Sequence, residues 1–450
     1  MTSPSLDRAT YRWRLTALAL AMLLPSLGTS IANVALPSLT HAFAADFSQV
    51  QWVVISYLLA VTTLIVGAGR LGDMLGRRRM LLIGIAIFTI ASLACAIAPS
   101  LWFLIAARAL QGAGAAFMMS LTIAAVTDAL PKEQTGRAMG LLGTVSAIGT
   151  ALGPSLGGVL IAWAGWPAVF AAIAAVGVVS FGFGLRFFER GAASGGEQPR
   201  FDIAGFVLLA IALGAYSLSM TSAATTAACI VVAVAALALF IAVELRLSAP
   251  LVSIASLRDR ALGSSLVSLA LVTTIVMATL VVGPFYLTGA AGLNAAQAGL
   301  VMSIGPAVSA LVGVPAGRLV DRWGARVAML AGLISSLAGC LLMVLLPGLT
   351  GVIGYGVALV FITGGYALFQ AANNTAVMRD APTARRGVVS ALLGLARNLG
   401  LITGASAMGA VFALAGGGLT GLEATFGLGA VLAGVSLCLT LVGSSAAPRV

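Results

Sequence analysis

Two arginines lie in the middle of long apolar stretches, where a charged side chain needs a specific partner. Arg108 is followed one helical turn later by Gln111, and Arg397 is followed immediately by Asn398. None of the 13 acidic residues lies deep in an apolar stretch, so neither arginine has an evident carboxylate partner. A charge at the centre of a membrane helix costs about 2.5–3.5 kcal/mol on insertion scales. Both arginines must therefore contact amides, backbone carbonyls, water or a bound solute.

Amide and thioether side chains form a second set of candidates within the apolar stretches. Three amides on one stretch fall within about one helical turn, so they can line a common surface. Two adjacent methionines can give an apolar wall that adapts to different solutes. Packing in the core is the open alternative for each residue, and for Arg397 a structural bond to neighbouring carbonyls is equally open. The predicted cavity residues are Asn33, Met118, Met119, Gln370, Asn373, Asn374, Arg397 and Asn398.

The composition indicates which kind of element must position these residues. The 450 residues are 60% hydrophobic and 8% charged, with a mean hydropathy of +1.10. Soluble domains carry about 25% charged residues, so this chain cannot cover a water-facing globule. The formal net charge is +11, but the charged residues lie mainly in short loops between apolar segments. This placement does not indicate a nucleic-acid partner. The four cysteines lack metal-ligand spacing, and we find no nucleotide-binding loop or catalytic cluster. We therefore expect no metal, no cofactor and no enzymatic activity.

Apolar segments long enough to cross a bilayer predict an all-α integral membrane protein of about fourteen transmembrane helices. The predicted spans are 15–36, 51–69, 80–98, 101–127, 138–162, 166–187, 203–220, 224–243, 262–288, 297–317, 327–346, 350–378, 387–413 and 424–443.

The basic residues support an even number of spans. Of the 24 lysines and arginines, only Arg108 and Arg397 lie deep inside spans, and the others occupy the two termini, every second loop or the span ends that border those loops. The positive-inside rule then places both termini in the cytoplasm.

An internal repeat divides the chain into two halves. The segment Gly69–Arg78 recurs, with two of its glycines and an aspartate in register, as Gly317–Arg326, 248 residues later. Both copies follow the second helix of a six-helix set, and Gly153 is echoed in the same way by Gly404. The predicted organisation is two pseudo-symmetric six-helix halves, 1–190 and 261–450, separated by a linker and an inserted helix pair within 191–260. Repeats of this kind are typical of transporters.

Five motifs resemble the major facilitator superfamily, and within it the fourteen-helix drug:proton antiporter branch. The loop segment Gly69–Arg79 resembles the superfamily's motif between helices 2 and 3, and Arg108–Gly114 resembles its helix 4 motif. Gly149–Gly158 is similar to the helix 5 motif of exporters, and Leu27–Pro37 and Phe201–Gly205 are similar to the fourteen-helix branch. The resemblance implies export of lipophilic drugs or small metabolites, driven by the proton gradient.

Two site residues take their expected role from this resemblance. The helix 4 motif makes Arg108 and Gln111 candidates for coupling transport to protons. In helix 1 the branch often has an acidic residue, a proton-coupling candidate, where this chain has Gly28. The helix 1 motif of this chain therefore contains no carboxylate that could carry the proton.

The repeated loop motif predicts a conformational latch. Its glycines allow a tight turn, and its aspartate can accept from a helix N-terminus or pair with the arginine that follows. Loop charges that only fix the topology are the alternative. The candidate latch residues are Gly69, Asp73, Gly76, Arg77, Asp128, Gly317, Asp321 and Arg322.

The helix 5 motif predicts a packing hinge. Glycines spaced by four share one helical face and let another helix approach, and the proline bends the helix. Ordinary packing of small residues is the alternative. The candidate hinge residues are Gly149, Gly153, Pro154, Gly157 and Gly158.

Together these features predict a secondary exporter that works by alternating access in a bacterial cytoplasmic membrane. We expect a monomer whose partners are a small-molecule substrate, protons and the lipid bilayer, with no nucleic acid. Since no carboxylate lies deep in a span, the substrates are expected to be neutral, zwitterionic or anionic. Metabolite uptake, facilitated diffusion and a transporter-like membrane sensor remain the alternatives.

Overall fold

Apolar segments of this length must satisfy their backbone hydrogen bonds internally in lipid, and they do so as helices. A computed structural model describes residues 8–129, 132–188, 202–221, 225–246, 260–380 and 386–443. Each predicted span corresponds to one long helix, and these are numbered α1 to α14. Their bounds are Arg8–Phe43, Trp52–Leu75, Arg77–Ala96, Leu101–Ala129, Lys132–Ala164, Pro167–Phe187, Ile203–Thr221, Thr226–Glu244, Arg260–Phe285, Ala295–Trp323, Ala325–Thr350, Val352–Asp380, Arg386–Thr403 and Gly418–Gly443.

Thirteen helical segments in the described ranges are long and apolar enough to cross a membrane. The remaining predicted span is α13, which continues through a π-helical segment, Gly404–Met408, to Leu414 and carries Arg397. The prediction of an all-α membrane fold with about fourteen helices is therefore confirmed. Several helices extend beyond the predicted spans, since hydropathy marks only the part of a helix that lies in lipid.

The six helices before the inserted pair and the six after it pack in the same pattern. In the first half α2 and α3 pack on α4, α1 packs on α5, and α3 packs on α6. In the second half α10 and α11 pack on α12, α9 packs on α13, and α11 packs on α14. Each helix thus has a counterpart eight positions later. The domain boundaries stay a prediction, because the linker 191–200 lies outside the described residues.

The repeated loop motif forms the same sharp break in both halves. Gly76 is the single residue between α2 and α3, with φ of 95°, and Gly324 is the single residue between α10 and α11, with φ of 82°. Positive φ is accessible to glycine without the steric cost that a side chain would impose. The glycines of the repeat therefore have a backbone role that the two halves share.

The inserted helix α7 contacts both halves. Trp52 Nε1 at the start of α2 donates to Thr221 Oγ1 over 3.1 Å, and the hydroxyls of Tyr216 and Thr403 lie 3.2 Å apart. Its partner α8 packs chiefly on α7 and leaves most of its apolar side chains exposed. The hairpin is thus anchored through α7, and α8 faces the lipid.

Candidate functional site

A cavity of about 420 Å³ lies between the two halves. Ligand-binding pockets measure about 300–1,000 Å³, so the space suits a small organic molecule. The walls come from α1, α4 and α5 of the first half and from α9, α10, α12 and α13 of the second. The site is therefore built by both halves together.

The cavity extends from the interior of the bundle toward the end at which α1 begins and α14 ends, here called the terminal face. Of α5, only the stretch from Gly143 to Thr150 lines the cavity, and α10 contributes residues from Met302 to Gly313. Nothing lies within 4 Å of the position that a side-chain carbon would take at Gly143 or Gly313, which both line the cavity. The helices are therefore separated on this side.

At the opposite, distal face the two halves touch through their backbones. A side-chain carbon on Gly299 of α10 would overlap the carbonyl oxygen of Pro154 and lie 3.1 Å from Gly158 Cα on α5. A carbon on Gly158 would overlap the carbonyl oxygen of Ala295. The structure is thus closed at the distal face and open toward the terminal face.

An aromatic cluster reinforces the distal closure. The ring centroid of Phe47, from the first half, lies 4.5 Å from that of Phe285 and 5.3 Å from that of Phe412. Both partners belong to the second half. Edge-on and tilted pairs at these distances stabilise a contact by about 0.5–1.5 kcal/mol beyond burial.

The cavity has a polar part and an apolar part. Gln370 and Asn374, one helical turn apart, line it in the terminal half of α12, and Arg397 lines it near the middle of α13. Deeper walls carry aromatic and aliphatic groups such as Tyr355 and Leu359. Among the described residues that line the cavity, Arg397 alone is charged.

Four of the eight predicted cavity residues line this cavity: Met119, Gln370, Asn374 and Arg397. Asn33, Met118 and Asn373 are fully buried and do not line it, and the partly exposed Asn398 does not line it either. Asn33 instead donates to the carbonyls of Thr29 and Ser30 in its own helix. Sequence reasoning missed the hydroxyl-bearing wall, which comprises Ser26, Thr29, Ser146, Thr150, Thr279, Ser309, Tyr355, Thr363 and Tyr366.

Arg108 lies inside the first half and does not line the cavity. Its Nε donates to Val53 O over 2.9 Å, one terminal nitrogen donates to Gly28 O over 3.2 Å, and the other donates to Gln111 Oε1. The guanidinium also lies 4.3 Å from the ring centroid of Tyr57. Arg108 therefore joins α1, α2 and α4 through carbonyls and an amide. The coupling role stays a prediction, and it would have to act through the packing of this half.

Replacing Arg108 by lysine is expected to lower the thermal midpoint of the purified protein. Lysine keeps the charge but lacks the planar fork that reaches three acceptors at once. Each hydrogen bond to a charged group contributes about 1.5–3 kcal/mol, so the loss should be of that order. A thermal unfolding scan in detergent would measure it, with Arg260→Lys at the exposed start of α9 as the control. Equal midpoints for both variants would contradict this structural role.

The helix 5 motif presents two faces. Three of its glycines lie against α1: carbons added at Gly149, Gly153 and Gly157 would meet Leu23, Ser30 and Ile31 respectively. Gly158 and the Pro154 carbonyl instead face α10 of the other half. The motif thus combines close packing within one half with the contact that closes the distal face. Whether it acts as a hinge stays a prediction.

The second half repeats this arrangement. Carbons added at Gly400 and Gly404 of α13 would overlap the carbonyl oxygen of Ala270 and approach that of Thr274 on α9. The sequence echo between Gly153 and Gly404 therefore corresponds to equivalent contacts between α1 and α5 and between α9 and α13.

The latch residues lie at the terminal ends of their helices. Gly69 packs near Ser120 of α4, whereas Gly317, Asp321 and Arg322 are exposed. The side chains of Asp73 and Asp128 lie outside the described residues, so the ion pair proposed for the latch stays a prediction.

Comparison with known proteins places the chain in a family. Residues 18–405 match the Major Facilitator Superfamily. The chain is 32% identical over 408 residues to the multidrug resistance protein Stp of Mycobacterium tuberculosis, covering 89% of this chain and 75% of that protein. It is 30% identical to the drug efflux pump JefA of the same species, with 90% and 81% covered. It is 29% identical to the riboflavin transporter RibZ of Clostridioides difficile, with 89% and 88% covered.

Solved structures share the fold at low identity. A bacterial homologue of the human lysosomal transporter Spinster, in an inward-facing conformation, superimposes with a TM-score of 0.70 at 16% identity over 98% of both chains. A transporter of the POT family in complex with 5-aminolevulinic acid gives 0.73 at 14% identity, over 95% of this chain and 94% of that one. The protein is a membrane transporter and not an enzyme, and it belongs to the major facilitator superfamily, in the fourteen-helix branch that its motifs resemble.

Proposed function

We propose that the protein is a secondary active exporter that moves small amphipathic molecules out of a bacterial cell by alternating access. The observation that carries the proposal is the asymmetric cavity between the halves, closed at the distal face and open at the terminal face. In alternating access the same central site is exposed first to one side and then to the other. The closed backbone contact between α5 and α10 would have to separate during the cycle.

The proposed orientation places the terminal face in the cytoplasm. Basic residues concentrate in the termini and in the loops of that face, as expected for a cytoplasmic surface. The cavity would then take up its substrate from the cytoplasm. The relatives named for drug efflux and multidrug resistance support export across a bacterial inner membrane. The proton gradient is the proposed energy source, on the basis of the branch resemblance.

Everted membrane vesicles test direction and coupling together. Vesicles from expressing cells, acidified inside by respiration, would be given a panel of an anionic, a neutral and a cationic fluorescent dye. We expect accumulation of at least one dye that a protonophore abolishes and that vesicles without the protein do not show. Gradient-driven loss of dye from these vesicles, or no gradient-dependent flux for any dye, would contradict the exporter.

Uptake of a metabolite is the second candidate, favoured by the relative named as a riboflavin transporter. Flux of riboflavin in the same vesicles separates the two directions. Movement out of everted vesicles would support uptake into the cell.

Replacement of Asp73 by asparagine is expected to reduce transport strongly while the protein still inserts. The proposed latch would hold the terminal face closed in the opposite, outward-open state, through an ion pair or a helix N-terminus. Asparagine has the same shape without the charge, and a charge near a helix N-terminus is worth about 0.3–1 kcal/mol. Dye efflux from cells would be compared with that of Asp46→Asn, a carboxylate at the distal face. Normal efflux by the Asp73 variant would rule out the latch.

A further inference from the structure

One positively charged side chain, that of Arg397, lines the cavity without a neutralising partner in the described part of the chain. Arg397 lies near the middle of α13, yet its side chain is exposed and lines the cavity. It makes no hydrogen bond or ion pair with the described part of the chain, and no described acidic residue lines the cavity. By contrast, each of the three guanidinium nitrogens of Arg108, the other intramembrane arginine, donates to a protein acceptor. A charge left unpaired at membrane depth points to a ligand that completes it.

Two amides line the cavity together with this arginine. Gln370 and Asn374 share one face of α12, and neither side-chain amide makes a hydrogen bond within the described part of the chain. Amide groups donate as well as accept, so they can bind an anionic group beside the guanidinium. Arginine binds carboxylates and sulfonate-like oxyanions through two parallel N–H groups, which fixes their orientation. The three side chains therefore form the guanidinium and amide part of a site whose other polar lining groups are hydroxyls.

We propose that the cavity selects amphipathic organic anions, such as aromatic carboxylates or sulfonates. Arg397 binds the anionic group, Gln370 and Asn374 donate to its remaining oxygens, and the rings pack near Tyr355 and Met302. The same unpaired charge repels organic cations, because no carboxylate among the described lining residues offsets it. This inference rests on the proposed function only in taking the cavity as the transport site.

Binding of two dyes that differ in one group tests the proposal. 8-Anilinonaphthalene-1-sulfonate is an anion, and N-phenyl-1-naphthylamine has the same ring system without the sulfonate. Fluorescence titrations of the purified protein in nonionic detergent would compare the wild type with Arg397→Gln, Arg397→Lys and the control Arg379→Gln. Arg379 is an exposed charge at the terminal end of α12, outside the cavity.

The Arg397→Gln variant is expected to bind the sulfonate on the order of 10-fold more weakly, as for loss of a charge-assisted bond. Its affinity for the neutral dye should stay within about 2-fold, which also shows that the variant is folded. Arg397→Lys should retain part of the sulfonate affinity, and Arg379→Gln should retain all of it. An unchanged sulfonate affinity, or equal losses for both dyes, would overturn the proposal.

A competition experiment on the wild type needs no variant to fold. Tetraphenylborate and tetraphenylphosphonium have nearly the same shape and opposite charge. We expect the borate to displace the bound sulfonate dye at much lower concentration than the phosphonium, and equal potency would contradict anion selectivity. Both tests measure binding without a gradient, so a failure of charge selection leaves the exporter intact. A failure of directed flux likewise leaves the anion site intact.

Discussion

Gly153→Leu is expected to abolish transport while the protein still reaches the membrane. A side-chain carbon at this position of α5 would overlap Ser30 Oγ and lie 2.8 Å from Ser30 Cβ and 3.0 Å from the Ile31 nitrogen on α1. The rest of a leucine side chain could fit only if α1 and α5 separated along their contact. Overpacking of this kind costs about 1–3 kcal/mol even where a side chain can yield, and here part of the obstacle is backbone. Both helices line the cavity, so their separation would also distort the site.

The measurement is dye efflux from cells, normalised to the amount of protein in the membrane. Gly182→Leu is the matched control, because Gly182 lies on the exposed side of α6 with nothing within 4 Å of an added carbon. A double variant, Ser30→Gly with Gly153→Ala, moves the small residue from α5 to α1 and should recover part of the transport that Gly153→Ala alone loses. Such a recovery would show that the two positions interact directly. Normal efflux by Gly153→Leu would show that this contact is dispensable.

The sequence predicted the fold well because lipid leaves the backbone few options. Each apolar span had to become a helix, and the repeated glycines at 76 and 324 had to allow a positive φ wherever a one-residue break joins two helices. Pairing between helices was less accessible. Spacing indicates that Gly149, Gly153 and Gly157 share a face, but it does not show that α1 covers that face or that Gly158 meets α10.

The cavity was only half predicted, for two physical reasons. Met118 and Met119 are adjacent, and a rotation of about 100° along α4 buries the first and leaves the second on the cavity wall. Without the phase of the helix the two cannot be distinguished. The threonines of this wall gave no usable pattern, since each donates to a carbonyl of its own helix. Thr363 Oγ1 donates to Leu359 O over 2.7 Å, as a lipid-facing threonine also would.

The intramembrane arginines show why residue type alone does not assign a role. Arg108 and Arg397 have the same charge and a similar apolar context in the sequence. The first is enclosed by backbone carbonyls and Gln111, and the second lines the cavity without a partner in the described part of the chain. Gly28, which stands where the branch often has an acid, offers its carbonyl to Arg108. The absence of that acid therefore leaves a guanidinium bound by neutral acceptors in the first half.

Gly299→Leu is expected to shift the protein away from the conformation closed at the distal face, and to reduce transport for that reason. A carbon on Gly299 would overlap the Pro154 carbonyl oxygen and lie 3.1 Å from Gly158 Cα, where carbon atoms prefer about 3.5–4.0 Å. Unlike Gly153, this glycine contacts the opposite half, so the side chain can be accommodated when the two halves rotate apart. A substitution that is compatible with one state and not the other shifts the population toward the compatible state. We therefore expect near-normal thermal stability together with strongly reduced efflux.

Spin labels at Ser100 and Thr350, exposed positions at the distal ends of the two halves, would report this shift. Their distance distribution in Gly299→Leu should gain a longer component at the expense of the wild-type one. Gly427→Leu on α14 serves as the control, because nothing lies within 4 Å of a carbon added there. An unchanged distribution with normal efflux would mean that the contact between α5 and α10 does not gate the distal face. A lower thermal midpoint without the longer component would show that Gly299 serves only static packing. A contact that opens during the cycle can instead be broken with both halves still folded, and breaking it changes the distance between them.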